Sequence, residues 1–273
     1  MACDDKPLPV SSSAPPEFPP EQESLFREVL LLMNDRGIPC AVSGAFALRE
    51  HTGICRNTKD LDFFLASQDV PRALAELRAA GFETEVKDPV WLAKAHRDDF
   101  FVDLITGMSN GIVTVDRSWI ERATPSHILG VPVRVLAAEE LLVSKLFIAF
   151  RERFDGADIV HLVYGTRGKM DWDRVLELVG EHWQLLLWAL VLFQYVYPQE
   201  GNTVPDAIWD SLLHRFRKNL KQPNTNANFR GSLLDERMFA IDVNEWGLDN
   251  LLEESRARRE PKIPEDTASK PAA

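Results

Sequence analysis

The chain has 273 residues, 45% hydrophobic and 27% charged, enough apolar content to bury the core of one or two domains. Of its formal charge of −11, the body keeps −9 once the acidic first twenty residues and the charge-balanced last twenty-one are set aside. Such a body repels polyanions at long range and welcomes divalent cations, which argues against a general nucleic-acid coat protein. Cys3, Cys40 and Cys55 are odd in number and lack C-x-x-C spacing, so they read as idle thiols of a reducing cytosol. No basic segment followed by an apolar run marks a signal peptide, and a cytoplasmic location is expected. The most apolar stretch, residues 185–197, is interrupted by Gln194. It is too short to span a bilayer, so it reads as a core helix and no membrane partner is expected.

Residues 1–20, rich in Pro and Ser, are expected to be a disordered tail. Leu25, Phe26, Val29, Leu30, Leu32 and Met33 follow helical spacing, and Gly37 is placed to end that helix. The spacing then predicts a short apolar strand over 38–42, a turn at Ser43-Gly44 and a helix over 45–51. A loop over 52–57 leads to a strand over 59–65, in which Asp60 and Asp62 alternate with Leu61 and Phe63. Asp69-Val70-Pro71 can start a helix that Gly81 closes, and residues 100–105 form a strand interrupted only by Asp103. The pattern changes near residue 136. Helices are predicted over 139–153, 156–164, 172–179, 182–197 and 204–220, followed by a disordered tail over 255–273. The expected organisation is α+β, with a mixed sheet and flanking helices over 21–136 and a C-terminal helical bundle over 137–254.

Strand side chains repeat every two residues, so Asp60 and Asp62 share a face, with Leu61, Phe63 and Phe64 left to cover the core. Two carboxylates in a strand of Leu and Phe repel each other and are costly to desolvate, and a divalent cation removes both penalties. Magnesium, which takes oxygen ligands and keeps substrate phosphate in its shell, suits such a pair, and Asp103 can complete the set from a neighbouring strand. Upstream, the unpaired N–H groups opening the helix after Gly44 form a phosphate seat, to which the Ser43 hydroxyl can add a donor. Sixteen residues separate Gly44 from Asp60, enough for a helix, a loop and a return strand. A triphosphate could bridge the turn and the carboxylates.

These residues resemble the polymerase-beta-like nucleotidyltransferase superfamily, whose signature is a Gly-Gly or Gly-Ser turn opening a helix, then Asp-x-Asp on a strand, then a third Asp on a later strand. The matching text is Val42-Ser43-Gly44-Ala45-Phe46-Ala47, Arg56-Asn57-Thr58-Lys59-Asp60-Leu61-Asp62 and Phe101-Val102-Asp103-Leu104. The R-x-T-x-D-x-D string is most similar to bacterial minimal nucleotidyltransferases and AbiEii-like toxin enzymes. Glu139 to Lys145 and Arg151 to Asp158 resemble the helical segment that follows the catalytic domain. The resemblance implies a nucleotidyltransferase-type fold with two magnesium ions on Asp60, Asp62 and Asp103, and Asp103 helping to deprotonate the acceptor. It further implies nucleotide contacts from Ser43, Gly44, Arg56, Thr58 and Lys145. Ser43 departs from the family's usual first Gly. The implied activity is transfer of an NMP from an NTP to a protein, tRNA or small molecule, with pyrophosphate released. The alternative is a silent nucleotide-binding module acting through a partner, such as the cognate protein of a toxin pair.

Asp155 and Asp158 read as helix caps or surface acids. The six His residues show no paired metal-ligand spacing, so zinc is not expected. Arg215, Arg217, Lys218 and Lys221, with Phe216 among them, form the basic cluster that would contact RNA if the acceptor is RNA. Asn224 to Phe229 and Trp246-Gly247 receive no role.

Overall fold

The structure is a computed structural model and describes residues 18–264. Helix α1 (Pro20–Asp35) starts on a proline and buries Leu25, Phe26, Val29, Leu30 and Met33, the stripe its spacing predicts. Strand β1 (Cys40–Val42) leads through Ser43 into α2 (Gly44–Thr52), and β2 (Asp60–Leu65) returns antiparallel to β1. Helix α3 (Val70–Ala79) precedes β3 (Glu83–Asp88), β4 (Leu92–Arg97) and β5 (Phe100–Ile105), an antiparallel meander. Then come α4 (Arg117–Arg122), the hairpin β6 (Thr124–Ile128) and β7 (Val131–Val135), and α5 (Ala138–Leu146). The remainder is helical: α6 (Gly156–Thr166), α7 (Trp172–Val179), α8 (Trp183–Val196), α9 (Asp206–Lys221), α10 (Gly231–Leu234), α11 (Ala240–Asn244) and α12 (Leu251–Arg258).

The strands form one mixed sheet in the order β3-β4-β5-β2-β1-β7-β6, with β2 parallel to β5 and β1 parallel to β7. This is the α+β arrangement the sequence predicts, a mixed sheet flanked by helices with the C-terminal half mainly helical. The change of pattern near 136 marks the passage from β7 to α5. The hydrophobic core nevertheless runs across it without interruption, from Leu25 to Ile263. Helix α5 is buried along its whole length.

Three expectations are corrected. The helix expected over 139–153 stops at Leu146, and the chain folds back so that Asp155 N–H donates to the Ile148 carbonyl at 3.2 Å. Residues 255–264, expected in a tail, belong to α12 and to a segment that buries Arg259 and Ile263. Phe64 lies on the aspartates' side of β2 by parity, further along the strand, where it packs on Trp119. Residues 1–17 and 265–273 lie outside the described residues. One helical stretch, Trp172–Val196, is long and apolar enough to cross a membrane by length and composition alone, and Val175, Leu186, Leu190 and Phe193 within it are core residues.

Candidate active site

At the turn between β1 and α2 the backbone of Gly44 takes φ +57°, and Asp62 stands so close that a Cβ on Gly44 would lie 1.8 Å from its Oδ2. Two constraints therefore fix glycine here: the left-handed conformation and the carboxylate against its Cα. Ser43 N–H donates to the Asp62 carbonyl at 2.9 Å, which clamps the turn to β2. Ser43 is buried and its side chain does not cap the helix. Thr58 fixes the entry to β2, its hydroxyl donating to the Asp60 carbonyl at 3.1 Å and accepting from the Asp60 N–H at 3.2 Å.

The parallel pairing of β2 and β5 sets Asp62 directly opposite Asp103, and the two-residue period puts Asp60 on the same face. Burial pushes the Asp62 carboxyl up to about 7, with repulsion from Asp103 and Asp60 adding to it and Lys145 and Arg153 opposing it. The third strand of the site, β4, sets Lys94 opposite Asp103. Its Nζ donates to both Asp103 oxygens, at 2.8 and 3.0 Å. Burial still holds the Asp103 carboxyl above its ordinary range, the Lys94 contact offsetting part of the effect. Lys94 is not singled out by the sequence: β4 reads Leu-Ala-Lys-Ala-His-Arg, and nothing in that string marks Lys94 rather than Arg97 as the partner of Asp103.

The chain between α5 and α6 adds a second charge cluster. Lys145, which the resemblance assigns to the triphosphate, is buried with its Nζ 2.8 Å from Asp155 Oδ2 and 2.8 Å from Asp158 Oδ2. Arg56 pairs with the other oxygen of Asp158, and Arg153 donates to Asp155 at 3.0 and 3.2 Å. Burial raises the Asp155 carboxyl, but Arg153 and Lys145 outweigh it and hold it low. The reading of Asp155 and Asp158 as caps or surface acids is therefore corrected. Asp155 precedes α6 without a capping bond from its side chain, and the half-buried Asp155 and buried Asp158 are both ion-pair partners of site cations. Their sequence distance from Asp62 hid this.

Hard oxygen donors with excess negative charge, the combination found at Asp60, Asp62 and Asp103, fit a divalent cation by their chemistry. As placed, no three His, Cys, Asp or Glu side chains among the described residues are close enough to hold one, and Asp103 is engaged by Lys94. The basic cluster lies elsewhere, on α9: Arg217, Lys218 and Lys221 are exposed, and Arg215 stacks 5.9 Å over Trp183.

A glycine turn backed against in-register aspartates on a mixed sheet defines a nucleotidyltransferase-type domain. Residues 22–193 match the model of a family described as uncharacterised nucleotidyltransferase, and the chain belongs to that family. The match supports the superfamily the motifs resemble, without singling out the AbiEii-like group. No curated protein sequence matches the chain. Among similar solved structures is that of the antibiotic-resistance factor ANT(2'')-Ia in solution, at 15% identity and TM-score 0.42, covering 72% of this chain and 98% of that one. An antigenic nucleotidyltransferase-like protein from Paracoccidioides brasiliensis shows 16% identity and TM-score 0.42, with 71% and 97% covered. The lincosamide antibiotic adenylyltransferase LnuA, bound to lincomycin, shows 16% identity and TM-score 0.38, with 52% and 95% covered. At such distances the chemistry has to be argued from this chain's own residues.

Proposed function

We propose that the protein transfers an NMP from an NTP to an acceptor and releases pyrophosphate, with Asp60, Asp62 and Asp103 as the metal-binding carboxylates. The observation that carries this reading is the contact between Gly44 and Asp62, which joins a phosphate-accepting helix start to an acid that is hard to ionise alone. The N–H groups opening α2 seat the phosphates, and the missing side chain at position 44 leaves the backbone open to them. Bound at Asp60 and Asp62, with Asp103 completing the set, magnesium would neutralise the triphosphate and stabilise charge developing on its oxygens. The acceptor oxygen attacks the α-phosphorus, the bond to the β-phosphate oxygen breaks, and the acceptor proton passes to Asp103. The raised affinity of Asp103 for a proton suits it to this step, and Lys94 holds both of its oxygens in place. Arg56, Thr58 and Lys145 serve the nucleotide by ordering the walls of the site.

The acceptor class, whether protein, tRNA or small molecule, follows from incubating the protein with each α-labelled NTP, magnesium and lysate, then sorting the labelled products. The account expects label in one class, equimolar pyrophosphate, and neither with Asp103→Asn. One observation favours the second reading, a nucleotide-binding module without turnover: Lys94 occupies both Asp103 oxygens. NTP binding with no labelled product from any lysate fraction would support it.

A further inference from the structure

Away from the aspartates, a cleft of about 730 Å³ opens between the loop after β5, the end of α7, residues 224–230 and α12. It shares no lining residue with the Ser43-Gly44 turn or the three aspartates, and its size is that of small-molecule sites. One of its lining residues, Arg259, is only 4% exposed. Its guanidinium donates to neutral oxygens alone: the Thr106 carbonyl at 2.5 Å, the Thr106 hydroxyl at 3.4 Å and the Pro261 carbonyl. Its Nε is buried without a partner.

The half-buried Arg174 and Arg256, by contrast, face carboxylates, Glu140 and Asp88 respectively. Among the described residues Arg259 has no carboxylate within ion-pair distance. Because a guanidinium stays charged in a protein, it is a buried cation that only the exposed Glu260 attracts, from beyond ion-pair distance, and an arrangement of that kind is costly unless an anion completes it. The rest of the lining is suited to a polar guest. The side chains of Asn226 and Asn228 make no hydrogen bond among the described residues, and Arg230 and Arg258 pair only with the exposed or half-exposed Glu181 and Glu254. These residues include the Asn-rich segment to which the sequence assigns no role.

We infer that this cleft binds a small organic anion, a carboxylate or a phosphate ester, whose charged group pairs with Arg259 while the Asn226 and Asn228 amides hold its polar body. The site is separate from the nucleotide turn and stands whether or not nucleotide transfer is confirmed. Through the bond from Arg259 to Thr106, its occupant also reaches the end of the strand that carries Asp103.

The test is calorimetric titration of the full-length protein, in metal-free buffer at constant ionic strength, with inorganic phosphate and with citrate as probes. At least one probe is expected to bind, phosphate alone marking a phosphate ester as the natural guest and citrate alone a carboxylate. Arg259→Met should weaken binding at least tenfold while leaving the melting temperature in probe-free buffer unchanged or higher, because the substitution removes a buried charge that has no ion-pair partner. Should that variant fail to fold, Asn228→Trp, at an exposed lining position, fills the cleft and should weaken binding at least fivefold. Gly44→Ala should leave probe binding intact. The inference is overturned if neither probe binds the wild type, if a folded Arg259→Met or Asn228→Trp binds as the wild type does, or if Gly44→Ala abolishes binding.

Discussion

A methyl group at position 44 has no room. Gly44→Ala would set a carbon 1.8 Å from Asp62 Oδ2 in a backbone conformation that only glycine adopts freely, so Asp62 must move. The protein should stay folded, and NTP affinity, read by equilibrium binding with magnesium, should fall at least tenfold. Asp62 itself lends a pH dependence to stability. Its carboxyl titrates near 7 in the fold but near 3.8 in the unfolded chain, so the unfolded chain ionises first as the pH rises. Without metal, the fold should lose stability from about pH 4 to about pH 7 and no more beyond that. Asp62→Asn should therefore raise the Tm by about 5 °C or more at pH 8 in chelator, the gain vanishing near pH 4. A gain that is the same at both pH values would mean that the carboxylate is not strained. The strand acids could be located in the sequence because an Asp among Leu and Phe breaks an apolar pattern. Their partners could not: Lys94 meets Asp103 by strand pairing, and Lys145 meets Asp155 and Asp158 by a chain reversal, and neither encounter leaves a periodic trace.

Among the elements, α5 is the link between the sheet and the helices. It is buried on every side, including Glu140, which is fully buried and takes Arg174 at 3.0 Å and Arg122 at 3.3 Å. Glu140→Gln takes the buried charge partner from Arg174 and leaves it only the exposed Glu177, which should cost about 2 kcal/mol. A lower urea midpoint with an unchanged slope would confirm this, and an unchanged midpoint would show that α5 is not held by that clamp. The long apolar helices could be read from their period, as α1 and α7 show. Strands β3, β6 and β7 could not: β3 reads Glu-Thr-Glu-Val-Lys-Asp, and Pro125 and Pro132 interrupt the β6–β7 hairpin. Strands at or near a sheet edge can carry charge and proline, which removes the apolar alternation that marks a strand.

At the scale of the whole molecule, the C-terminal segment beyond the family match closes back on the sheet. Arg256 holds Asp88 through both oxygens at 2.9 and 3.1 Å, and Ile263 N–H donates to the Pro89 carbonyl at 2.8 Å while its side chain enters the core. Charge and proline made this segment read as a tail, since composition does not reveal a docking partner some 170 residues away in sequence. The same closure builds the Arg259 cleft and ties it to β5. The account as a whole depends on the turn at Gly44 and the aspartates of β2 and β5 acting as one nucleotide site. Calorimetric titration of wild type, Gly44→Ala and Asp62→Asn with each ribonucleoside triphosphate, with and without magnesium, measures this directly. The account predicts magnesium-dependent binding of at least one triphosphate to the wild type and at least a tenfold loss in both variants. Equal affinity in all three proteins, or binding indifferent to magnesium, would contradict it.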